Sequence, residues 1–235
     1  MILSKITDLI FPVRCPSCDK LADTEFPLCT SCTGLMLHPA KEKRRCNVCF
    51  MSINECICTG RQYFDKLTVP LYYESPIKQT VHRFKFRGRR DLGKQYARLL
   101  VAALEERKLT DKIDYITNIP MSRRDKFIRG YNQSQLIAEH ISAITGIPYE
   151  EFLYKKFRTA RQRTLGKEAR SGNLLGVFEP HKALIEKFEG RSVLVIDDII
   201  TTGSTLNEIS KTLLIFGADK VYVCACAAAK IKKNH

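Results

Sequence analysis

At 235 residues, 44% of them hydrophobic, the chain is long enough for one substantial core and a small satellite module, and too apolar to be disordered. Lys and Arg total 39 against 25 Asp and Glu, and the resulting formal charge of +14 favours anionic partners: nucleic acid, phosphorylated metabolites or an acidic membrane surface. No apolar run approaches the roughly 20 residues that a bilayer requires, so no transmembrane segment is expected.

In chain order, Met1 to Phe11 is interrupted by Lys5 and Asp8 and has no small-residue cleavage site behind it, which predicts a cytoplasmic protein. Ile2, Leu3, Ile6, Leu9 and Ile10 fall on one face of an amphipathic helix. Packing on its own domain is the simpler use of that face, and peripheral membrane contact the sharper one.

Two cysteine clusters follow, Cys15-x2-Cys18-x10-Cys29-x2-Cys32 and Cys46-x2-Cys49-x6-Cys56-x-Cys58. A tight turn between two cysteines aims both thiolates at one ion, and two such turns complete a tetrahedron, so the spacing predicts zinc ribbon-like sites holding two structural zinc ions. Disulfides, iron–sulfur clusters and redox use compete, but nothing directs the chain to an oxidising compartment. The Cys56-x-Cys58 pair is tighter than a usual knuckle, and ligands could interleave between the clusters. A module this small depends on its metal, each ion supplying an apparent binding energy of about 10 kcal/mol or more. Lys41, Lys43, Arg44 and Arg45 between the clusters read as a solvated link or as a grip on nucleic acid. The expected division is 1–62 for the N-terminal helix and double cysteine module, and 63–235 for a second domain.

From about residue 64 strands alternate with helices. Leu67 to Tyr73, Tyr115 to Ile119, a short piece near Phe152, Ser192 to Ile196 and Lys220 to Ala225 read as strands. A basic helical stretch precedes Leu109, and Ser134 to Thr145 and Thr205 to Phe216 are helical, which together predict an α/β fold with a mostly parallel twisted sheet flanked by helices. Gly88 to Gln95 nearly spells a nucleotide-binding P-loop, but Gln95 stands where a Ser or Thr would ligate magnesium, so no nucleotide site is expected there. Instead Arg83, Lys85, Arg87, Arg89, Arg90 and Lys94 form a basic face suited to solvent or to nucleic-acid phosphates. Phe84, Phe86 and Tyr131 could stack bases there, although core packing is the commoner fate. Cys224 and Cys226 share one face of a buried strand and read as core.

The most informative segment is Val193-Leu-Val-Ile-Asp197-Asp198-Ile-Ile-Thr201-Thr202-Gly203-Ser204-Thr205. A buried strand runs into paired acids and then into a hydroxyl-rich turn that opens a helix. Amides of that turn, the helix dipole and the hydroxyls of Thr201, Thr202, Ser204 and Thr205 converge on one place for a phosphate dianion. Gly203 lets the backbone approach it, and Asp197 with Asp198 can accept from vicinal ribose hydroxyls or join a magnesium shell.

These thirteen positions resemble the phosphoribosyl pyrophosphate motif of the type I phosphoribosyltransferases. That resemblance implies their fold, a ligand of phosphoribosyl pyrophosphate or 5-phosphoribose with magnesium, and a pyrophosphate loop after the first core strand, at Met121, Ser122, Arg123 and Arg124. It also implies that Lys155 to Gly172, basic through residues such as Arg161, Arg163, Lys167 and Arg170, is a hood over the substrate. Arg129-Gly-Tyr-Asn-Gln-Ser134 and Arg161-x3-Leu165…Arg170-x2-Asn173…Phe178, with the cysteine module in front, are similar to the signatures of the ComF family, which joins such a module to a phosphoribosyltransferase-like domain. Membership implies a part in natural transformation, with single-stranded DNA and DNA-uptake or recombination proteins as partners. Arg87, Arg89, Arg90, Arg129, Arg161, Arg163 and Lys167 are the candidate nucleic-acid contacts. The alternative is a phosphoribosyl transfer enzyme of nucleotide metabolism or salvage that does not bind DNA; no side chain stands out as a base for an acceptor nucleophile.

Overall fold

The computed structural model describes residues 14–15, 17–21, 29–33, 46–53, 56, 58, 60–156 and 177–229. The amphipathic stretch 1–11, the basic link 41–45 and most of the expected hood lie outside them. A short helix α1 (Thr30–Thr33) in the first cysteine segment is followed by strands β1 (Lys66–Thr68) and β2 (Leu71–Tyr72) and helices α2 (Ile77–Phe86) and α3 (Asp91–Glu106). Strand β3 (Tyr115–Asn118), helices α4 (Arg123–Arg129) and α5 (Gln133–Thr145), and strands β4 (Leu153–Lys155) and β5 (Phe178–Pro180) come next. The chain then forms α6 (Ile185–Phe188), β6 (Ser192–Ile200), α7 (Ser204–Ile215) and β7 (Lys220–Ala228).

The main sheet is parallel throughout, in the order β1–β7–β6–β3, with β2 pairing β7 beyond β1. The expected single strand Leu67 to Tyr73 is thus two pieces in one edge position. Pro70, which carries no N–H for the ladder, lies in the gap. The expected basic helix is likewise two helices, parted at Gly88, whose φ of 65° only a glycine adopts freely.

Strand alternation sends β6 into two cores. Leu194 and Ile196 join Cys224, Cys226 and the inner faces of α2, α3 and α5, while Val193 and Val195 join Phe152, Phe188 and the inner face of α7. Cys224 and Cys226 are both fully buried, as a core role requires. The P-loop-like string has a packing explanation: Gln95 is buried inside α3, and a Cβ on Gly93 would stand 2.9 Å from Leu136 Cγ, so the glycine permits close approach of α3 and α5. Among the described residues no helix is long and apolar enough to cross a membrane.

The cysteine segments are built into both cores. Cys15, Cys29 and Cys32 pack with Val81, Phe84 and Tyr96 on one face of the sheet, and Cys49 and Met51 with Phe64 and Leu67 on the other. Arg107 fastens the second segment: its guanidinium donates to Leu67 O and Thr68 Oγ1 of β1, reaches Val48 O and lies over the Phe50 ring.

Candidate phosphoribosyl site

β6 continues past the point where the sequence suggests it stops. Its parallel ladder with β7 extends through Ile199–Ala227 and Ile200–Ala228, so both acids lie within the strand and the turn proper is Thr201 to Gly203. Gly203 occupies the N-cap of α7 at φ 74°, a left-handed conformation, and brings no side-chain acceptor. Thr202 Oγ1 and Ser204 Oγ lie 2.9 Å apart, and Ser204 N donates to Thr202 Oγ1 at 3.4 Å. Thr201, Thr202, Ser204 and Thr205 are exposed, and nothing stands over Gly203. A helix opening with no side-chain cap at its N-cap position turns its first N–H groups outward, where an anion is the fitting partner.

The twin acids differ. Asp198 is buried, and its Oδ2 lies 2.8 Å from Lys85 Nζ of α2. Asp197 is partly exposed; its Oδ1 accepts from Asp198 N at 2.7 Å and from Ser134 Oγ at 3.5 Å. Burial, and then the neighbouring Asp198 charge, push the Asp197 carboxyl up to about 8. With Asp198 held by Lys85, Asp197 beside the hydroxyl-rich turn is the acid left to meet sugar hydroxyls or a hard cation with oxygen ligands.

The segment expected as a pyrophosphate loop follows β3, which pairs with β6 up to Asn118–Ile196. Ile119 N donates to Ile196 O, one residue before Asp197, and Asn132, the N-cap of α5, donates to Ile119 O at 2.9 Å. Met121 and Ser122 are half-buried and Arg123 and Arg124 exposed. Ser122 caps α4, accepting from Asp125 N and donating to Asp125 Oδ2 at 2.6 Å. The segment forms a helix rather than a loop: Ser122-x-x-Asp125 is the signal that opens it and Gly130 at φ 75° the one that closes it.

Each cysteine cluster gathers to itself without interleaving: the Sγ atoms of Cys15, Cys18, Cys29 and Cys32 all lie within 4.8 Å of one another, as do those of Cys46, Cys49, Cys56 and Cys58. The Cys18–Cys29 and Cys49–Cys56 sulfurs are 3.6 and 3.5 Å apart. Tetrahedral zinc–thiolate bonds of about 2.3 Å place sulfurs roughly 3.8 Å apart, whereas a disulfide needs about 2.05 Å. The donor sets therefore fit two closed, four-sulfur metal centres. Without a cation, hydrogen bonding from Cys58 draws Cys49 down to about 5, and that same contact pushes Cys58 up. Such crowded thiols ionise together only against a cation.

The basic candidates are placed unequally. Arg87 and Arg90 are exposed, Arg90 over the Tyr131 ring, and Arg129 lies over the exposed Phe86. Phe84 is fully buried, and Tyr131 is half-buried with its hydroxyl donating to Phe84 O. Arg89 makes bidentate bonds to both Asp19 and Asp91, tying the first cysteine segment to α3. Lys78, His82, Arg83 and Arg87 line, with Tyr73, a cleft of about 740 Å³ along α2. Arg161, Arg163 and Lys167 lie outside the described residues. In sequence Lys85 is only one more member of a basic face, and nothing there pairs it with an acid 113 positions away.

Residues 132–235 match the phosphoribosyl transferase domain family. Competence protein F of Haemophilus influenzae is 31% identical over 92% of this chain and 90% of its own. DNA utilization protein YhgH of Escherichia coli K12 is 29% identical over 90% of this chain and 89% of its own. Competence protein ComFC of Bacillus subtilis is 27% identical over 60% of this chain and 55% of its own.

Proposed function

The chain belongs to the ComF family of competence and DNA-utilization proteins, with a phosphoribosyltransferase fold behind its cysteine clusters, and from that premise we propose that it binds 5-phosphoribose or phosphoribosyl pyrophosphate with magnesium while handling single-stranded DNA in the cytoplasm during natural transformation. The observation that carries this reading is the exposed Thr201 to Thr205 turn, which opens α7 at an N-cap without a side-chain acceptor, at the carboxyl end of the strand that carries Asp197. Ligands of open α/β sheets collect at that end of the strands.

The 5-phosphate sits on the turn amides and hydroxyls, with Asp197 toward the ribose diol. Met121 to Arg124 receive a pyrophosphate when one is present, since the first N–H groups of α4 add to the charges of Arg123 and Arg124. Their place just beyond β3, which pairs with β6, also favours a second reading, in which the bond from C1 to pyrophosphate breaks and the amides stabilise the leaving anion. Two zinc ions hold the cysteine clusters. Exposed Arg87 and Arg90, the cleft along α2 and Arg129 stacked on Phe86 support a path for a nucleic-acid backbone with bases on aromatic faces.

Isothermal titration tests both ligands. Phosphoribosyl pyrophosphate with magnesium is expected to give saturable heat that falls at least about tenfold in affinity in the Asp197→Ala, Asp198→Ala double variant. Oligothymidylate is expected to lose roughly a hundredfold in affinity between 50 and 200 mM salt if about five phosphates are contacted. No heat from the intact protein, or equal affinity in the double variant, rejects the phosphoribosyl reading; salt-insensitive DNA binding rejects the other.

A further inference from the structure

We propose that Lys85 is a positioning residue of the phosphoribosyl site, holding Asp198 in place from α2 and supplying there the positive charge that a divalent cation would otherwise provide. The inference rests on the phosphoribosyl reading above and concerns how that site is neutralised.

The geometry is built rather than incidental. Lys85 Nζ and Asp198 Oδ2 are 2.8 Å apart, with only 20% and 11% of the two side chains exposed. An ammonium on a flexible four-carbon stem is seldom so enclosed unless its partner fixes it. The backbone on either side of Lys85 is anchored. Phe84 fills the core and its carbonyl accepts from Tyr131, while Phe86 lies under the Arg129 guanidinium, 5.2 Å from it. Arg90 closes the frame by donating to Gly130 O at 3.2 Å and stacking on Tyr131. α2 is thereby locked to the α4–α5 turn, the same turn that places Asn132 against Ile119 and Ser134 against Asp197. Lys85 thus reaches one acid from a helix that is itself fastened to the far wall of the site.

The charge count gives the consequence. An uncompensated Asp198 carboxylate next to a phosphate dianion repels the ligand, the more so once Asp197 also ionises, and a magnesium ion beside it is one remedy. With Lys85 in contact, Asp198 already has its counter-charge, and any cation at that acid must displace an enclosed ion pair. Ribose 5-phosphate, which has no pyrophosphate to chelate magnesium, should therefore bind the wild-type protein almost equally with and without it.

The test is calorimetric titration with ribose 5-phosphate, in magnesium and in EDTA-free buffer without divalent ions, on wild type, Lys85→Met, Lys85→Arg and the Lys85→Met, Asp198→Asn double variant. Wild type is expected to change less than about threefold between the two buffers. Lys85→Met should lose at least about tenfold without magnesium and recover most of it with magnesium, because an uncompensated, enclosed carboxylate remains. Lys85→Arg should stay near wild type, and the double variant, with neither charge, should again be indifferent to magnesium. A merely structural lysine would weaken binding equally in both buffers. A wild-type requirement for magnesium above tenfold overturns the inference without any variant, and so does a Lys85→Met loss that magnesium leaves unchanged. Failure of wild type to bind ribose 5-phosphate in either buffer removes the phosphoribosyl reading itself, and the inference with it.

Discussion

Asp197 and Asp198 share a side-chain type and a strand, yet one is enclosed with a lysine while burial, and then its neighbour's charge, disfavour ionising the other. An acid whose folded value lies at about 8, against an ordinary value of 3.8, is more easily protonated in the folded state than in the unfolded one. Ionising it therefore costs stability, and that cost grows as pH rises from about 4 and is complete above about 8. Asp197→Asn removes the penalty. Thermal melts of the ligand-free protein should show the variant more stable than wild type by at least about 1 kcal/mol at pH 8, with the difference vanishing toward pH 4; a variant equal to wild type at pH 8, or better only in acid, contradicts this. The acids, the hydroxyls and Gly203 were legible because each is set by local chain chemistry. Lys85 was not: Phe84-Lys85-Phe86 on a basic helix reads as one more solvated cation until tertiary packing turns it inward.

At the scale of elements, patterning located most strands and helices, and the departures have local causes. Pro70 divides the edge strand, Gly88 divides the basic helix, and Ser122 with Asp125 caps a short helix where only a loop was expected. β6 outruns its apolar stretch because pairing to β7 carries it through the acids, and backbone pairing needs no apolar side chain. The cysteine spacing predicts four-sulfur sites, but not that the two clusters would pack into or against opposite cores, three cysteines of the first and one of the second being buried there. Residues just beyond the second cluster also touch α7: Asn207 accepts from Tyr63 N at 2.7 Å and donates to Arg61 O at 3.1 Å. Metal analysis should thus find two zinc ions per chain, and a strong chelator should lower the unfolding temperature of the whole protein rather than melt the N-terminal segment alone. A single metal per chain, or an unchanged melt after its removal, would count against this coupling.

For the whole molecule, the parallel sheet sets the acids and the turn at its carboxyl edge, while the cysteine segments brace it from both faces. The charge of +14 favours anionic partners without sorting metabolite from polymer. The two proposed sites lie in different places, the Thr201 to Gly203 turn at the end of β6 for the small anion and the exposed Arg87 and Arg90 between α2 and α3 for the polymer. Amide-resolved NMR of the intact zinc-loaded protein, titrated with ribose 5-phosphate, probes that turn most directly. The backbone amides of Gly203, Ser204 and Thr205 should move together, saturate at one dissociation constant and shift more than any others in the chain. Saturation with those three resonances unmoved would contradict a phosphate site at the opening of α7.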